Sequence, residues 1–171
     1  MPRSIILIDG SNFYFKLKDL GLQDLISFDF AGFVKSLAKD TQLVEACYFI
    51  GVIKTDNTEK TQKLFNNQRR LLSKLKLQGL KYSLGYLLKS DGRFHEKGVD
   101  VNIAVNILTV TYENLVDKII VVSSDTDLLP AIQKAKEKGK IVEYVGFAHK
   151  PSIAMIKNCS LARLLRKEDL V

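Results

Sequence analysis

Residues 119–122 are four consecutive apolar, β-branched residues, and two serines and two aspartates follow them closely. A run of this kind predicts a strand that is buried on both faces, as in a parallel sheet. Pro130 suits the first turn of a helix and predicts that a helix comes next. Asp125 and Asp127 are therefore expected at the carboxyl end of a strand, where open parallel sheets bind their ligands.

The rest of the chain alternates strand patterns with helical ones. Strands are predicted at residues 4–8, 43–53, 81–89, 118–122 and 141–145, and helices at 28–39, 58–78, 101–110, 128–138 and 151–158. Residues 90–93 are interpreted as a polar loop, and 161–165 as an edge strand or a short tail element. The alternation predicts an α/β fold with a parallel sheet and helices on both faces. No linker or repeat interrupts it, so residues 1–171 are interpreted as one domain.

The composition favours an ordinary globular protein. A chain of 171 residues, 46% of them hydrophobic, is large enough to bury a core without disulfides or a structural metal. No run approaches the roughly 18 apolar residues that a membrane span needs, and the first strand follows Met1-Pro2-Arg3 without a signal-peptide pattern. We therefore expect a cytoplasmic protein with no membrane contact, in which Cys47 and Cys159 are free or buried thiols.

Positive charge is concentrated in one part of the chain. The net charge is +7, and the segment from Lys60 to Lys97 alone has ten basic residues and two acidic ones. Such a patch favours contact with a polyanion, although a solvated helix face is the ordinary alternative. Arg69, Arg70 and Lys97 are its candidate substrate-binding residues. Two aromatic residues of the region, Tyr82 and Phe94, are candidates for stacking on bases, although Tyr82 in a strand is also a natural core residue.

Acidic residues follow the first strand as well as the fourth. Asp9 ends the first strand and Asp100 stands at the start of the central helix, so both are expected to meet Asp125 and Asp127 at one edge of a parallel sheet. Clustered carboxylates repel one another and lose hydration, and a divalent cation relieves that cost. Mg²⁺ prefers oxygen ligands, and it assists phosphodiester hydrolysis by polarising the phosphate and activating water.

Each of these residues also has a purely structural explanation. Asp9 precedes a glycine and suits a turn, and Asp100 suits a helix N-cap. Ser124, Thr126 or Asp127 would each suit the cap of the helix after the fourth strand. The joint placement of the acids at predicted strand ends favours a site over these separate explanations.

Other kinds of site have little support. Asn12, Ser123 and Ser124 are polar neighbours of the acids that would orient a water or a phosphate, or satisfy turn backbone. His95 and His149 have no recognisable nucleophile partner and form no zinc pattern. No dinucleotide fingerprint or Walker A motif follows a strand.

Three short motifs resemble those of the NYN domain family, including its LabA-like branch, within the PIN-like nucleases. They are residues 9–12 (DGSN), residues 97–101 (KGVDV), and residues 123–127 (SSDTD) with Pro130. The motifs occur in the family's order and span most of the chain. The resemblance implies a PIN-like, Rossmannoid three-layer α/β/α sandwich, and RNA cleavage that depends on Mg²⁺ or Mn²⁺.

The resemblance also implies roles for individual residues. The four aspartates match the family's acidic metal-site positions, and Asn12 matches a polar residue beside them. Many relatives carry a further aspartate where this chain has Asn106, which lies about 240° around a regular helix from Asp100 and so is not expected to share an ion with it. Ser124 stands where a glycine is common.

We therefore predict a metal-dependent ribonuclease, of endonucleolytic type, in which Asp9, Asp100, Asp125 and Asp127 hold the ion. Contacts to phosphates predict weak base preference and steep salt dependence. Two alternatives stay open: a catalytically weak RNA-binding or regulatory module of the same fold, and a Toprim-like nuclease, whose first acid is typically Glu. The sequence leaves the oligomeric state open, a homodimer included.

Overall fold

The computed structural model describes residues 1–171, apart from the side chains of Leu87, Lys89 and Phe94. The strands are β1 (Arg3–Asp9), β2 (Gln42–Ile50), β3 (Lys81–Leu84), β4 (Tyr86–Ser90), β5 (Arg93–Lys97), β6 (Lys118–Val122), β7 (Ile141–Phe147) and β8 (Leu161–Leu165). The helices are α1 (Gly10–Asp19), α2 (Phe30–Leu37), α3 (Glu59–Leu77), α4 (Val99–Tyr112), α5 (Leu129–Glu137) and α6 (Ile153–Asn158), with short 3₁₀ helices at Thr126–Leu128 and Lys167–Asp169.

Six strands form one sheet in the order β3-β2-β1-β6-β7-β8, and each neighbouring pair is parallel. The predicted parallel sheet is thus confirmed. The chain moves outward from β1 to β3 on one side and from β6 to β8 on the other, so the strand order reverses between β1 and β6. A crevice opens beyond the carboxyl ends of the strands at such a reversal, and ligands bind there in open α/β sheets.

Alternate residues of the central strands face two separate cores. Ile6 and Ile8 of β1 pack with α1, α2 and α3, whereas Ile5 and Leu7 pack with α4, α5 and α6. A strand with helices on both faces needs apolar residues in both registers, which explains the uninterrupted apolar run at residues 119–122. The result is the predicted three-layer α/β/α sandwich.

The segment after α3 differs from the prediction. Residues 81–89 form two strands that separate at Gly85, and the segment 93–97, which we did not predict as a strand, pairs antiparallel with β4. A Cβ at Gly85 would lie 2.8 Å from the carbonyl oxygen of Lys97, so this crossing of two backbones requires glycine. Residues 90–93 include the hairpin turn, where Asp91 and Gly92 have φ angles of 52° and 74°, as in a type I′ turn.

The other element boundaries are close to those predicted. The second strand ends at Ile50 rather than at residue 53.

Residues 161–165 are an edge strand, parallel to β7, and a buried carboxylate of β7 links the strands on this side of the sheet. Glu143 of β7 forms ion pairs with Lys118 of β6 at 2.5 Å and with Arg163 of β8 at 2.8 Å. In the described part of the chain, no helix has the length and apolar character that crossing a bilayer requires.

Candidate metal centre

Asp9 is the last residue of β1 and lies beside the end of β6. Its carboxylate accepts a hydrogen bond from the backbone N–H of Asn12 at 3.3 Å and another from the hydroxyl of Ser123 at 2.8 Å. The first bond makes Asp9 the N-cap of α1, so the turn-like DG pair is the start of a helix. Both carboxylate oxygens are therefore fixed by the protein.

Asp9 is also the most deeply buried of the four acids, with 8% of its surface exposed. Burial raises the pKa of the Asp9 carboxyl above its ordinary value, and the negative charges of Asp125 and Asp100 raise it further. The hydrogen bonds from Ser123 and Asn12 lower this pKa in part. The site thus concentrates negative charge that its own hydrogen bonds do not fully compensate.

Asp125 leads into the 3₁₀ helix after β6 and caps it. Its carboxylate accepts from the backbone N–H of Asp127 at 2.9 Å, while its own N–H donates to the hydroxyl of Ser123 at 3.1 Å. The cap is therefore Asp125 itself rather than the Ser124, Thr126 or Asp127 considered from the sequence. Asp127 is more exposed than Asp125, and its side chain is free of that structural role.

Asp100 lies in the first turn of α4. The N-cap of this helix is Gly98, which has a φ of 85° and caps with no side chain. Asp100 is thus not the cap. A carboxylate in the first turn interacts favourably with the helix dipole.

Three of the four predicted acids come together. Carboxylate oxygens of Asp100, Asp125 and Asp127 lie within 4.8 Å of one another, and Asp9 lies outside that group. Asp9, Asp100 and Asp125 line one cleft of about 580 Å³, which we call the acid cleft. Its other lining residues are Ser11, Asn12, Phe15, Glu96, Lys97, Gly98 and Val99.

Two of the three polar residues predicted beside the acids, Asn12 and Ser124, connect α1, the end of β6 and β7. The side-chain carbonyl of Asn12 accepts from the backbone N–H of Ser124 at 3.2 Å. The Ser124 hydroxyl pairs with the hydroxyl of Tyr144 at 2.8 Å, and Ser124 is not among the residues that line the acid cleft. Asn12 does line the acid cleft.

Glu96 was not singled out from the sequence, because the strand that carries it was not predicted. It lines the acid cleft, and its carboxyl end packs against Gly51 although the residue as a whole is exposed. Burial of the carboxyl and the charge of Asp9 both raise the pKa of Glu96. The Asp91-Gly92 pair was the available signal, since such a dipeptide between two strands predicts a hairpin.

The predicted basic residues occupy different places. Lys97 lines the acid cleft, whereas Arg70 lines two neighbouring depressions and Arg69 only the more distant of them. Tyr82 is half-buried under the ammonium group of Lys76, 5.6 Å from its ring centre, which fits a structural role. The side chain of Phe94 lies outside the described residues.

His149 and the two cysteines, which are also potential metal ligands, have other surroundings. His149 contacts Asp19 at 3.3 Å, and both cysteines are buried free thiols, as predicted. Burial raises the pKa of Cys47 to about 12 and that of Cys159 to about 11. Among the described side chains, the one cluster with metal-binding spacing is composed of aspartates alone.

The side chain of Asn106 forms a hydrogen bond within its own helix, α4. Its amide donates to the backbone carbonyl of Asn102 at 3.0 Å, and it does not line the acid cleft. This placement agrees with the angular argument from the sequence.

Comparison with known proteins identifies a family. Residues 3–163 match the profile of the NYN domain. A segment of 48 residues is 46% identical to the uncharacterised protein MJ0482 of Methanocaldococcus jannaschii; it covers 28% of this chain and 20% of that protein. The chain thus spans about a fifth of the length of this curated relative.

A solved structure shares the fold over nearly the whole chain. It is the crystal structure of a protein of unknown function, VPA0982, from Vibrio parahaemolyticus, with a TM-score of 0.75 and 22% sequence identity. The alignment covers 99% of this chain and 96% of the other. At this identity the likeness supports the fold alone.

Proposed function

Because this chain belongs to the NYN domain family, we propose that it is a metal-dependent endoribonuclease, and its motifs favour the LabA-like branch. The observation that carries the proposal is the convergence of Asp100, Asp125 and Asp127, whose carboxylate oxygens lie within 4.8 Å of one another. They stand where the strand order reverses, the position at which open α/β sheets bind ligands.

The donor set suits a hard divalent cation. The three clustered carboxylates offer oxygen ligands only, as Mg²⁺ and Mn²⁺ prefer, and Asp9 lies in the acid cleft beside two of them, Asp100 and Asp125. We propose Asp100, Asp125 and Asp127 as direct ligands and Asp9 as the buried acid behind them. A cation bound there would supply positive charge to the scissile phosphate and lower the pKa of an attacking water.

The chain's own residues prepare the site for that ion. Ser123 and the Asn12 backbone hold the Asp9 carboxylate in one orientation, so this side chain is already positioned when a ligand arrives. Lys97 and the side-chain amide of Asn12 line the same cleft and offer hydrogen-bond donors to phosphate oxygens. Together they fit a phosphodiester beside a cation.

Phosphates farther along the substrate would meet the basic face of α3. Arg69 and Arg70 are exposed, and among the described side chains no carboxylate oxygen lies within 4.0 Å of either guanidinium group. Their charge is thus available to an external anion. We propose RNA as that anion, with weak base preference.

The test compares cleavage and metal binding in one variant. Asp125→Asn keeps a hydrogen-bond acceptor for the 3₁₀ helix but removes a charge, so the fold should persist. We expect loss of Mg²⁺- or Mn²⁺-dependent cleavage of single-stranded RNA by at least about 100-fold. Metal affinity by isothermal titration should fall as well, while RNA binding in EDTA stays within about 2-fold of wild type.

The matched control is Asp40→Asn. It removes an exposed carboxylate just before β2, at the amino ends of the parallel strands, whereas the acids lie at their carboxyl ends. It should change neither cleavage nor metal affinity. A wild-type protein that binds RNA but does not cut it with either metal would refute the proposed ribonuclease activity and favour an RNA-binding or regulatory module of the same fold. Cleavage that survives in the Asp125→Asn variant would refute the site.

A further inference from the structure

A larger cleft adjoins the acid cleft. This second cleft, which we call the apolar cleft, has a volume of about 830 Å³ and lies between α1, α3 and the loop of residues 22–27. The two clefts share the side chains of Ser11, Phe15 and Glu96. A ligand held at the acids therefore lies next to a space of the size that accommodates small organic groups.

An aromatic ring stands at the junction of the clefts. Phe15 is 60% exposed, although α1 buries its neighbours Phe13 and Leu17 in the core. Tyr14 supports it from the side, with ring centres 5.5 Å apart and ring planes at 68°. Single exposed apolar residues are common and usually have no function. Phe15 differs because its ring forms part of the wall between the acids and an apolar cavity.

The charges around the apolar cleft favour a neutral group inside and an anion at the far rim. Arg70 of α3 lines this cleft and also the next groove, where Arg69 and Lys74 lie. The Asp24 carboxylate in the cleft is bound to the hydroxyl of its own loop residue Ser27 at 2.6 Å. Among the described side chains that line this cleft, Glu96 is shared with the acid cleft and Arg70 forms no ion pair, so Arg70 supplies positive charge on the side away from the acids.

We propose that the apolar cleft receives one unpaired nucleobase of single-stranded RNA, adjacent to the scissile phosphate and stacked on Phe15. Arg70 contacts the following phosphate, and the strand continues into the groove of Arg69 and Lys74. This inference rests on the proposed nuclease function and names its substrate class. A base in a duplex is already paired and stacked, so extruding it would cost a few kcal/mol, and duplexes should bind poorly.

The experiment measures binding without cleavage. Fluorescence anisotropy would follow a labelled single-stranded RNA of about ten nucleotides, in EDTA, with all variants made in the Asp125→Asn background. Phe15→Ala should weaken binding by about 5- to 150-fold, the loss of one stacked base, and Phe15→Trp should restore it. Because Phe15 is exposed, neither change should alter the melting temperature.

Two controls isolate the base from the surface. Tyr112→Ala removes an aromatic ring that is also 60% exposed but lies on α4, and it should leave binding unchanged. An abasic oligonucleotide of equal length should bind wild-type and Phe15→Ala protein equally. Equal binding of the ordinary RNA by those two proteins would overturn the proposal, as would an equal effect of Phe15→Ala on the abasic strand.

Further arms separate this proposal from the one on which it rests. Single-stranded DNA of the same sequence tests whether the cleft selects RNA or any unpaired base, and duplex RNA should bind at least about 10-fold more weakly. Binding that depends on Phe15 in a protein that never cuts would keep the nucleobase subsite and refute the nuclease. Metal-dependent cleavage that is equal for single-stranded and duplex RNA, and equal in wild type and Phe15→Ala, would keep the nuclease and refute the nucleobase subsite.

Discussion

The hydroxyl of Ser123 donates a hydrogen bond of 2.8 Å to the carboxylate of Asp9, and the two residues are 114 positions apart in the chain. The same hydroxyl accepts from the backbone N–H of Asp125 at 3.1 Å. One small side chain therefore connects the acid at the end of β1 with the acid that follows β6. Its loss should disturb both.

Ser123→Ala should weaken divalent metal binding by about 10- to 100-fold, because the Asp9 carboxylate loses the donor that orients it. Isothermal titration with Mn²⁺ would measure the change. Ser124→Ala is the matched control, since that hydroxyl pairs with Tyr144 outside the acid cleft. Equal affinities of the two variants would contradict the positioning role of Ser123.

Asp9→Asn should stabilise the protein in metal-free buffer near neutral pH. Burial raises the pKa of Asp9, so the folded state binds this proton more tightly than the unfolded state, and stability falls as pH rises through the raised pKa. Asparagine removes that loss. The melting temperature should rise by about 2–4 °C per kcal/mol recovered.

The pH dependence provides the control for this prediction. The difference in melting temperature should shrink as pH falls to the ordinary carboxyl value of 3.8 and below it, because Asp9 then becomes protonated in both states. Added Mn²⁺ should stabilise the wild type more than Asp9→Asn, because the variant keeps the three proposed ligands but loses the negative charge behind them. A difference that does not vary with pH would show that the gain has another cause.

Gly10→Ala should destabilise the fold by about 1–3 kcal/mol, because the added methyl group overpacks a tight contact. A Cβ there would lie 2.5 Å from the carbonyl oxygen of Phe49 and 2.6 Å from the ring of Tyr48. Gly51→Ala is the comparison, since its Cβ would meet only the end of the flexible Glu96 side chain. Urea unfolding should show a clearly smaller loss for Gly51→Ala.

Arg69→Ala and Arg70→Ala should each reduce the slope of log K against log salt by about 1 for RNA binding, as expected for one phosphate contact. Lys140→Ala is the control, because Lys140 directly precedes β7 and so lies at the amino ends of the parallel strands, away from the acids at their carboxyl ends. Binding titrations at several salt concentrations measure the slopes. The arginine contacts would be disproved by slopes that match the wild type.

Much of this architecture could be predicted from local patterns. The buried strands, the helices and the placement of Asp9 and Asp125 at strand ends follow from apolar periodicity and from the geometry of parallel sheets. The hairpin was missed because residues 93–97 include only one apolar side chain, Phe94, and strands exposed to solvent carry little apolar signal. Glu96 was missed with it.

The finer geometry of the acids could not be predicted. The sequence places four aspartates at one edge, but which three approach one another depends on how α4 and the 3₁₀ helix are oriented against the sheet. Capping roles were equally ambiguous, since any of several short polar side chains near residue 125 suits an N-cap. Packing among distant segments decides such questions, and a single sequence does not report it.

The pairing of β1 with β6 has a consequence for protein synthesis. During translation β1 is made first, but its second neighbour in the sheet begins only at Lys118. The acid cluster needs Asp100, Asp125 and Asp127, so a nascent chain lacks it until Asp127 has been synthesised and has left the ribosome. An emerging polypeptide is therefore unable to assemble this cluster until β6 has been made and can pair with β1.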